Sequence, residues 1–250
     1  MSGNAIINTC QFLRQVALSV ALAASALAAQ AGTSFDTTAF WDGSNSVGGF
    51  GNPGTATYGQ TFAAPSASTL NDFTFYLGGV PGVHLQLEAY VYEWSGSLLG
   101  GSGGGRASGS ALYSSGVPIT FDSGDGSFQP LTVDTGGVSL IPGNHYVAFL
   151  TVSNPIDYAA STGALHWGLT AYGSHFPGDG DGGFAFYNNG SNFDALTANN
   201  WDGSAYDFGD LAWQANFVPA PATLALLVVG AIPLRQFAGK RKPKKAGPLA

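Results

Sequence analysis

The chain has 250 residues and a formal charge of −7, with hydrophobic residues at 45%, charged residues at 9% and 37 glycines. An average soluble domain carries roughly 25% charged residues; here the apolar content excludes a disordered chain, and the glycines suit short strands joined by turns. All 15 acidic residues lie between Asp36 and Asp210, where Arg106 is the one Lys or Arg, so that stretch carries −14 and repels phosphate, which excludes nucleic acid as its partner.

In chain order, the first predicted element is an apolar run over 16–29 behind Arg14. Small residues follow it, with Ala29 and Ala31 forming an A-x-A site before Gly32. This order predicts a secretory signal peptide over 1–31, with signal peptidase as its processing partner. Cys10, the single cysteine, lies upstream of the apolar run. The mature chain is therefore expected to have no disulfide, thiolate metal site or cysteine nucleophile.

From 32 to 217 the pattern has period two, the signature of half-buried strands. Segments 57–62, 70–77 and 83–94 alternate, and 111–114, 128–134, 145–152, 165–169, 183–187 and 207–217 are further strand candidates. Pro-Gly and Gly-Gly pairs separate them, and the Gly-rich run 98–110 reads as a surface loop. About nine strands predict an all-β fold: a single antiparallel β-sandwich, jelly-roll-like, with no helical period outside the two ends.

Candidate chemistry is sparse. Glu88 and Glu93 are the only glutamates, and an odd spacing on one strand sends them to opposite faces, so they are not a catalytic pair with each other. Many aspartates, among them Asp42, Asp125, Asp179, Asp181 and Asp202, neighbour glycine in predicted turns, where Asp caps its own backbone. Four histidines stand in this stretch without a nucleophile-elbow motif or zinc-ligand spacing. A non-enzymatic protein is expected, with a polysaccharide hydrolase as the third alternative.

Two features point to ligands. Pro177 to Gly183 places Asp179 and Asp181 on alternate positions among glycines, a pattern that wraps a hard cation, so structural Ca²⁺ is one expectation and a solvated turn the other. On 83–94, Val83, Leu85, Leu87, Ala89 and Val91 share one face, leaving His84, Gln86, Glu88, Tyr90, Tyr92 and Trp94 on the other. Aromatic rings among amide and carboxylate groups suit sugars, so Gln86, Glu88, Tyr90, Tyr92 and Trp94 are candidate glycan contacts; the alternative is a face covered by a loop.

The last predicted element is the C-terminal tail. The residues Val218-Pro219-Ala220-Pro221-Ala222-Thr223-Leu224 lead into an apolar stretch ending at Leu234, followed by a basic cluster from Arg235 to Lys245. The 13 apolar residues from Ala222 to Leu234 reach about 20 Å as a helix, short of a hydrocarbon core of about 30 Å. The basic cluster marks the cytoplasmic side.

This tail resembles the PEP-CTERM sorting signal of exported bacterial proteins, with Ala220 where the signal usually has Glu and Pro233 within the apolar helix. The resemblance covers roughly 218–245. It implies export across the inner membrane of a Gram-negative bacterium, transient anchoring, and recognition by an exosortase-type membrane protease in exopolysaccharide surroundings. Gly59-Gln60-Thr61-Phe62, the segments 89–96 and 142–150, and Trp201-Asp202-Gly203 resemble recurring stretches of the β-rich domains often found ahead of that signal. Together these imply a surface- or matrix-associated structural or adhesive protein, the alternative being a carbohydrate-binding module with a defined glycan ligand.

Overall fold

Alternating apolar and polar residues between glycine-rich turns build twelve strands among the described residues. The computed structural model describes residues 32–99, 104–154, 162–175, 181–202 and 208–219. One sheet holds β1 (Thr33–Asp36), β2 (Ser46–Phe50), β4 (Thr69–Gly78), β8 (Gln129–Ser139), β10 (Leu165–Gly168) and β12 (Trp213–Val218). The other holds β3 (Thr57–Ala63), β5 (His84–Gly96), β6 (Gly105–Ser114), β7 (Ile119–Asp122), β9 (His145–Thr151) and β11 (Phe184–Tyr187). The strand ladders are antiparallel. The fold is all-β and β-sandwich-like, and residues 31–219 form one compact unit.

In the first sheet β4 is central. It pairs with β8 along one edge and with β12 and then β10 along the other, and β1 and β2 lie outside those two. In the second sheet the order is β11-β3-β9-β5, and β5 is long enough to pair with both β6 and β7 on its far edge.

Inward-facing residues of both sheets form the main core. Leu70, Phe73, Phe75 and Leu77 come from β4, Leu85, Leu87, Ala89 and Val91 from β5, Tyr58 and Phe62 from β3, and Trp213, Ala215 and Phe217 from β12. The apolar face expected for 83–94 is thus in the core from Leu85 to Val91. On β4 the alternation breaks, because two polar residues, Asn71 and Asp72, separate the inward Leu70 and Phe73. The register with β8 shifts at that point, a bulge that turns both apolar groups inward.

The structure differs from the sequence expectation in four places. β1, β2 and β7 are additional strands, and the four-residue helix α1 (Ala195–Ala198) is too short to display a period. The expected loop over 98–110 is strand from Gly105 onward, because Gly105 lies under the Trp94 ring, where a Cβ would come within 2.5 Å of it. In the segment 207–217 the strand begins only at Trp213, and it runs through Val218, which pairs with Thr69. The signal peptide over 1–31 and the sorting residues Ala220, Pro221, Ala222, Thr223 and Leu224 lie outside the described residues. Among the described residues no helix is long and apolar enough to cross a membrane.

Candidate functional site

The outward face of β5 carries the sequence-predicted glycan contacts, and the chain folds back over most of it. Gln86, near the start of the strand, is exposed. Glu88, Tyr90, Tyr92 and Trp94 are 6%, 3%, 7% and 6% exposed. Their cover is the segment carrying Tyr187, Phe193, Leu196 of α1 and Trp201, which joins Val147 and Phe149 of β9 in a second apolar cluster. The Trp94 and Trp201 rings meet edge to face at 5.3 Å, and Tyr90 stacks on Phe149 at 5.4 Å. Apolar area and ring complementarity hold the cover down. Of the two readings of this face, the structure shows the covered one from Glu88 to Trp94, and a sugar stacked on Tyr90 or Tyr92 would have to displace Phe193 and its neighbours.

The polar groups beneath the cover satisfy one another. The Tyr90 hydroxyl donates to the Glu88 carboxylate, and Asn154 Nδ2 donates both to that carboxylate, at 3.0 Å, and to the Tyr90 oxygen. Burial, with the bond to Glu88 adding to it, pushes the Tyr90 phenol up to about 12. Glu88 acts here as a buried acceptor, which keeps the phenol protonated.

At the far end of β5 the remaining edge of Trp94 reaches solvent space. Trp94, Glu93, Gly143, Asn144 and His145 line a cavity of about 260 Å³. The β5–β9 register places Glu93 opposite Tyr146, next to His145. The indole itself is fixed, with Nε1 donating to the Ser97 carbonyl at 2.8 Å. A carboxylate, an amide and an imidazole around one ring edge supply donors and acceptors for a hydroxyl-rich ligand. Of the five sequence-predicted contacts, Trp94 alone lines this cavity.

In the predicted cation loop, Asp179 lies outside the described residues. Asp181 is exposed and adopts a left-handed backbone (φ 55°), a conformation in which Asp is enriched among non-glycine residues. Just after it, the Gly183 amide donates to Thr61 Oγ1 at 3.0 Å, anchoring the loop to β3. Among the described residues no group of three or more His, Cys, Asp or Glu is placed to hold a metal ion.

Two further clusters were not singled out from the sequence. Asp210 is fully buried; Gln60 Nε2 donates to its Oδ1 at 3.0 Å, the Leu211 amide donates to Gln60 Oε1 at 3.0 Å, and His175 Nδ1 lies 3.5 Å from Asp210 Oδ1. The available signal was Gln60 itself, a polar residue on the same parity as the core residues Tyr58 and Phe62. The second cluster is Ser46 Oγ with His166 Nδ1, 3.1 Å apart on neighbouring strands β2 and β10. Comparisons with protein-family models, with curated proteins and with solved structures each find no match to this chain.

Proposed function

We propose that this chain is an exported, surface- or exopolysaccharide-matrix-associated structural or adhesive protein, non-enzymatic, sorted by an exosortase-type system. Residues 1–31 act as signal peptide, 32–217 as a jelly-roll-like β-sandwich, and 218–250 as the sorting tail. The observation that carries the proposal is where the tail begins. β12, paired with β4, ends at Val218, and the proline-rich segment follows at once. Proline has no amide hydrogen for a ladder, so Pro219 cannot carry the β12–β4 pairing further, which fits a processing signal that starts where the domain stops. The jelly-roll reading is supported by the two strand orders, β1-β12-β4-β8 and β3-β9-β5 followed by β6 and β7, in which successive strands from β3 to β5 alternate between sheets. Asp179 and Asp181 are proposed to hold structural Ca²⁺.

Mass spectrometry of the surface-associated protein tests the sorting. The mature chain is expected to end near Pro221, and removal of residues 222–250 is expected to release the domain to the medium. A surface-associated chain that still ends at Ala250 overturns processing.

A further inference from the structure

The two sheets present different outer faces. That of the second sheet is covered by the segment around α1. That of the first sheet is polar, and its polar side chains stand in rows across four strands. One row runs Asp36, Gln214, Thr74, Thr132 and the next Ser34, Asn216, Asp72, Asp134, each residue paired in register with its neighbour on β1, β12, β4 and β8. Neighbouring strands stand about 4.8 Å apart, close to one pyranose unit along a chain, so a polysaccharide lying across the second row meets a polar group at each sugar, whereas in the first row Thr74, 6% exposed, lies beneath its neighbours.

These groups are held in place before any ligand arrives. Gln214 Nε2 donates to Asp36 Oδ2 at 2.9 Å, Asn216 Nδ2 donates to Asp72 Oδ1 at 2.7 Å, and the Thr74 and Thr132 hydroxyls share a bond of 2.8 Å. Against the opposing effect of burial, hydrogen bonds from Thr38 and Gln214 hold the Asp36 carboxyl below its usual range, keeping it an acceptor. Each amide and carboxylate retains further donor or acceptor capacity, and Asp36 and Asn216 are exposed.

An aromatic group adjoins the rows. Tyr76, the next outward residue of β4, points its hydroxyl at Gln214 Oε1, 3.4 Å away. The Trp41 ring lies 5.3 Å from Tyr76 and 5.2 Å from Phe128, and all three are half-buried. Trp41 rests on Gly168 of β10, where a Cβ would come within 2.8 Å of the ring, and its Nε1 donates to the Asn45 carbonyl at 2.7 Å. Fixed rings beside fixed amide and carboxylate groups lower the ordering cost of binding.

We propose that this face, with Trp41 and Tyr76 as stacking rings and Asp36, Asp72, Gln214 and Asn216 as hydrogen-bonding groups, binds a neutral polysaccharide. Charge selects the class. Asp36, Asp72 and Asp134 lie on the face, and the one Lys or Arg of residues 32–219, Arg106, is on β6 of the other sheet, so uronates and sulfated chains are repelled. The inference deepens the matrix-associated reading, but its test uses purified polysaccharides, so its failure leaves the sorting test untouched.

The test is affinity electrophoresis of the full chain in mild detergent through gels containing a neutral glucan, a neutral galactomannan or polygalacturonate. Retardation is expected in at least one neutral gel and not in polygalacturonate. Trp41→Ala and Tyr76→Ala should each weaken it at least tenfold. Gln214→Ala and Asn216→Ala, which remove side chains outside the core, should weaken it severalfold with an unchanged melting midpoint. Val117→Ala, at an exposed apolar residue beyond β6, should migrate as the parent. The proposal is overturned by no retardation in either neutral gel, by retardation in polygalacturonate alone, or by four variants that all migrate as the parent. Retardation abolished by EDTA at an unchanged melting midpoint also overturns it, since Asp72 and Asp134 would then be holding a cation.

Discussion

Replacing Trp94 by alanine separates a covered strand face from an open one. The side chain is 6% exposed, its ring meets Trp201 edge to face at 5.3 Å, and its Nε1 donates to the Ser97 carbonyl at 2.8 Å. A buried indole hides about 150–250 Å², which at about 25 cal/mol per Å² corresponds to roughly 4–6 kcal/mol as an upper estimate. Alanine keeps part of that area, so about 3–5 kcal/mol is expected, the range for a core Trp→Ala change. For a domain of this size a loss of 1 kcal/mol lowers the melting midpoint by about 2–4 °C, which gives a fall of roughly 6–20 °C. Thermal and urea melts of the full chain followed by circular dichroism measure it. Tyr172→Ala, at a residue 68% exposed, is the control and should stay within about 0.5 kcal/mol. A double-mutant cycle of Trp94→Ala with Trp201→Ala should show coupling of about 0.5–1.5 kcal/mol from the ring pair. A Trp94→Ala midpoint within about 1 °C of the parent would refute the covered face.

Gln60→Leu removes the donor to Asp210 and the acceptor of the Leu211 amide, leaving buried polar groups short of a partner; a loss of about 2–5 kcal/mol in urea melts is expected, and an unchanged midpoint counts against the cluster. Burial pushes the Tyr58 phenol up from 10 to about 12. The unfolded chain therefore ionises first, so Tyr58's stability contribution, about 2–3 kcal/mol, is fully present below pH 10 and is lost as pH rises from 10 through 12. Melts of Tyr58→Phe across that window should fall less steeply with pH than the parent's, and parallel slopes would contradict the assignment. If Asp179 and Asp181 hold Ca²⁺, a hundredfold excess over Kd adds about 2.7 kcal/mol, so the midpoint should rise with millimolar Ca²⁺ and fall with chelator; indifference to both leaves a plain turn.

The long strands were legible because their periodicity persists. Val83 to Trp94 sorts its two faces without ambiguity, and Leu85, Leu87, Ala89 and Val91 are core. β1 and β7, of four residues each, and β2, which contains Gly48 and Gly49, offer too few alternations to stand out from turns. Gln60 was hidden by its surroundings. In 57–62 glycine and threonine occupy the other parity, so the polar residue on the inward face did not register as one. The cover over β5 was not legible because alternation tells which residues share a face, and nothing about what lies on it. The covering segment holds Phe193, Leu196 and Trp201 at irregular spacing among Asn, Gly and Ser, and so reads as loop.

The chemistry of the outward residues nevertheless differs between the sheets in a way that agrees with their coverage. Along β5 the outward positions from 90 onward are Tyr90, Tyr92 and Trp94, apolar area that water would leave unpaid, and with Val91 and Ala89 inward the strand reads as buried on both faces. Along β4 and β12 the outward positions are Asp72, Thr74, Gln214 and Asn216, which bond to groups on neighbouring strands and need no cover. Rings on that face are confined to one end, at Tyr76, and Trp41 is brought to them by a loop whose tip is fixed by Asp42, which accepts from the Ser44 and Asn45 amides at 2.8 and 2.6 Å. Trp41 packs half-buried on Tyr76, Phe128 and Gly168, so it closes one end of a face that is otherwise polar. The exposed polar groups beside that end, and the apolar cover on the second sheet, are why the first sheet is the side proposed to meet a ligand.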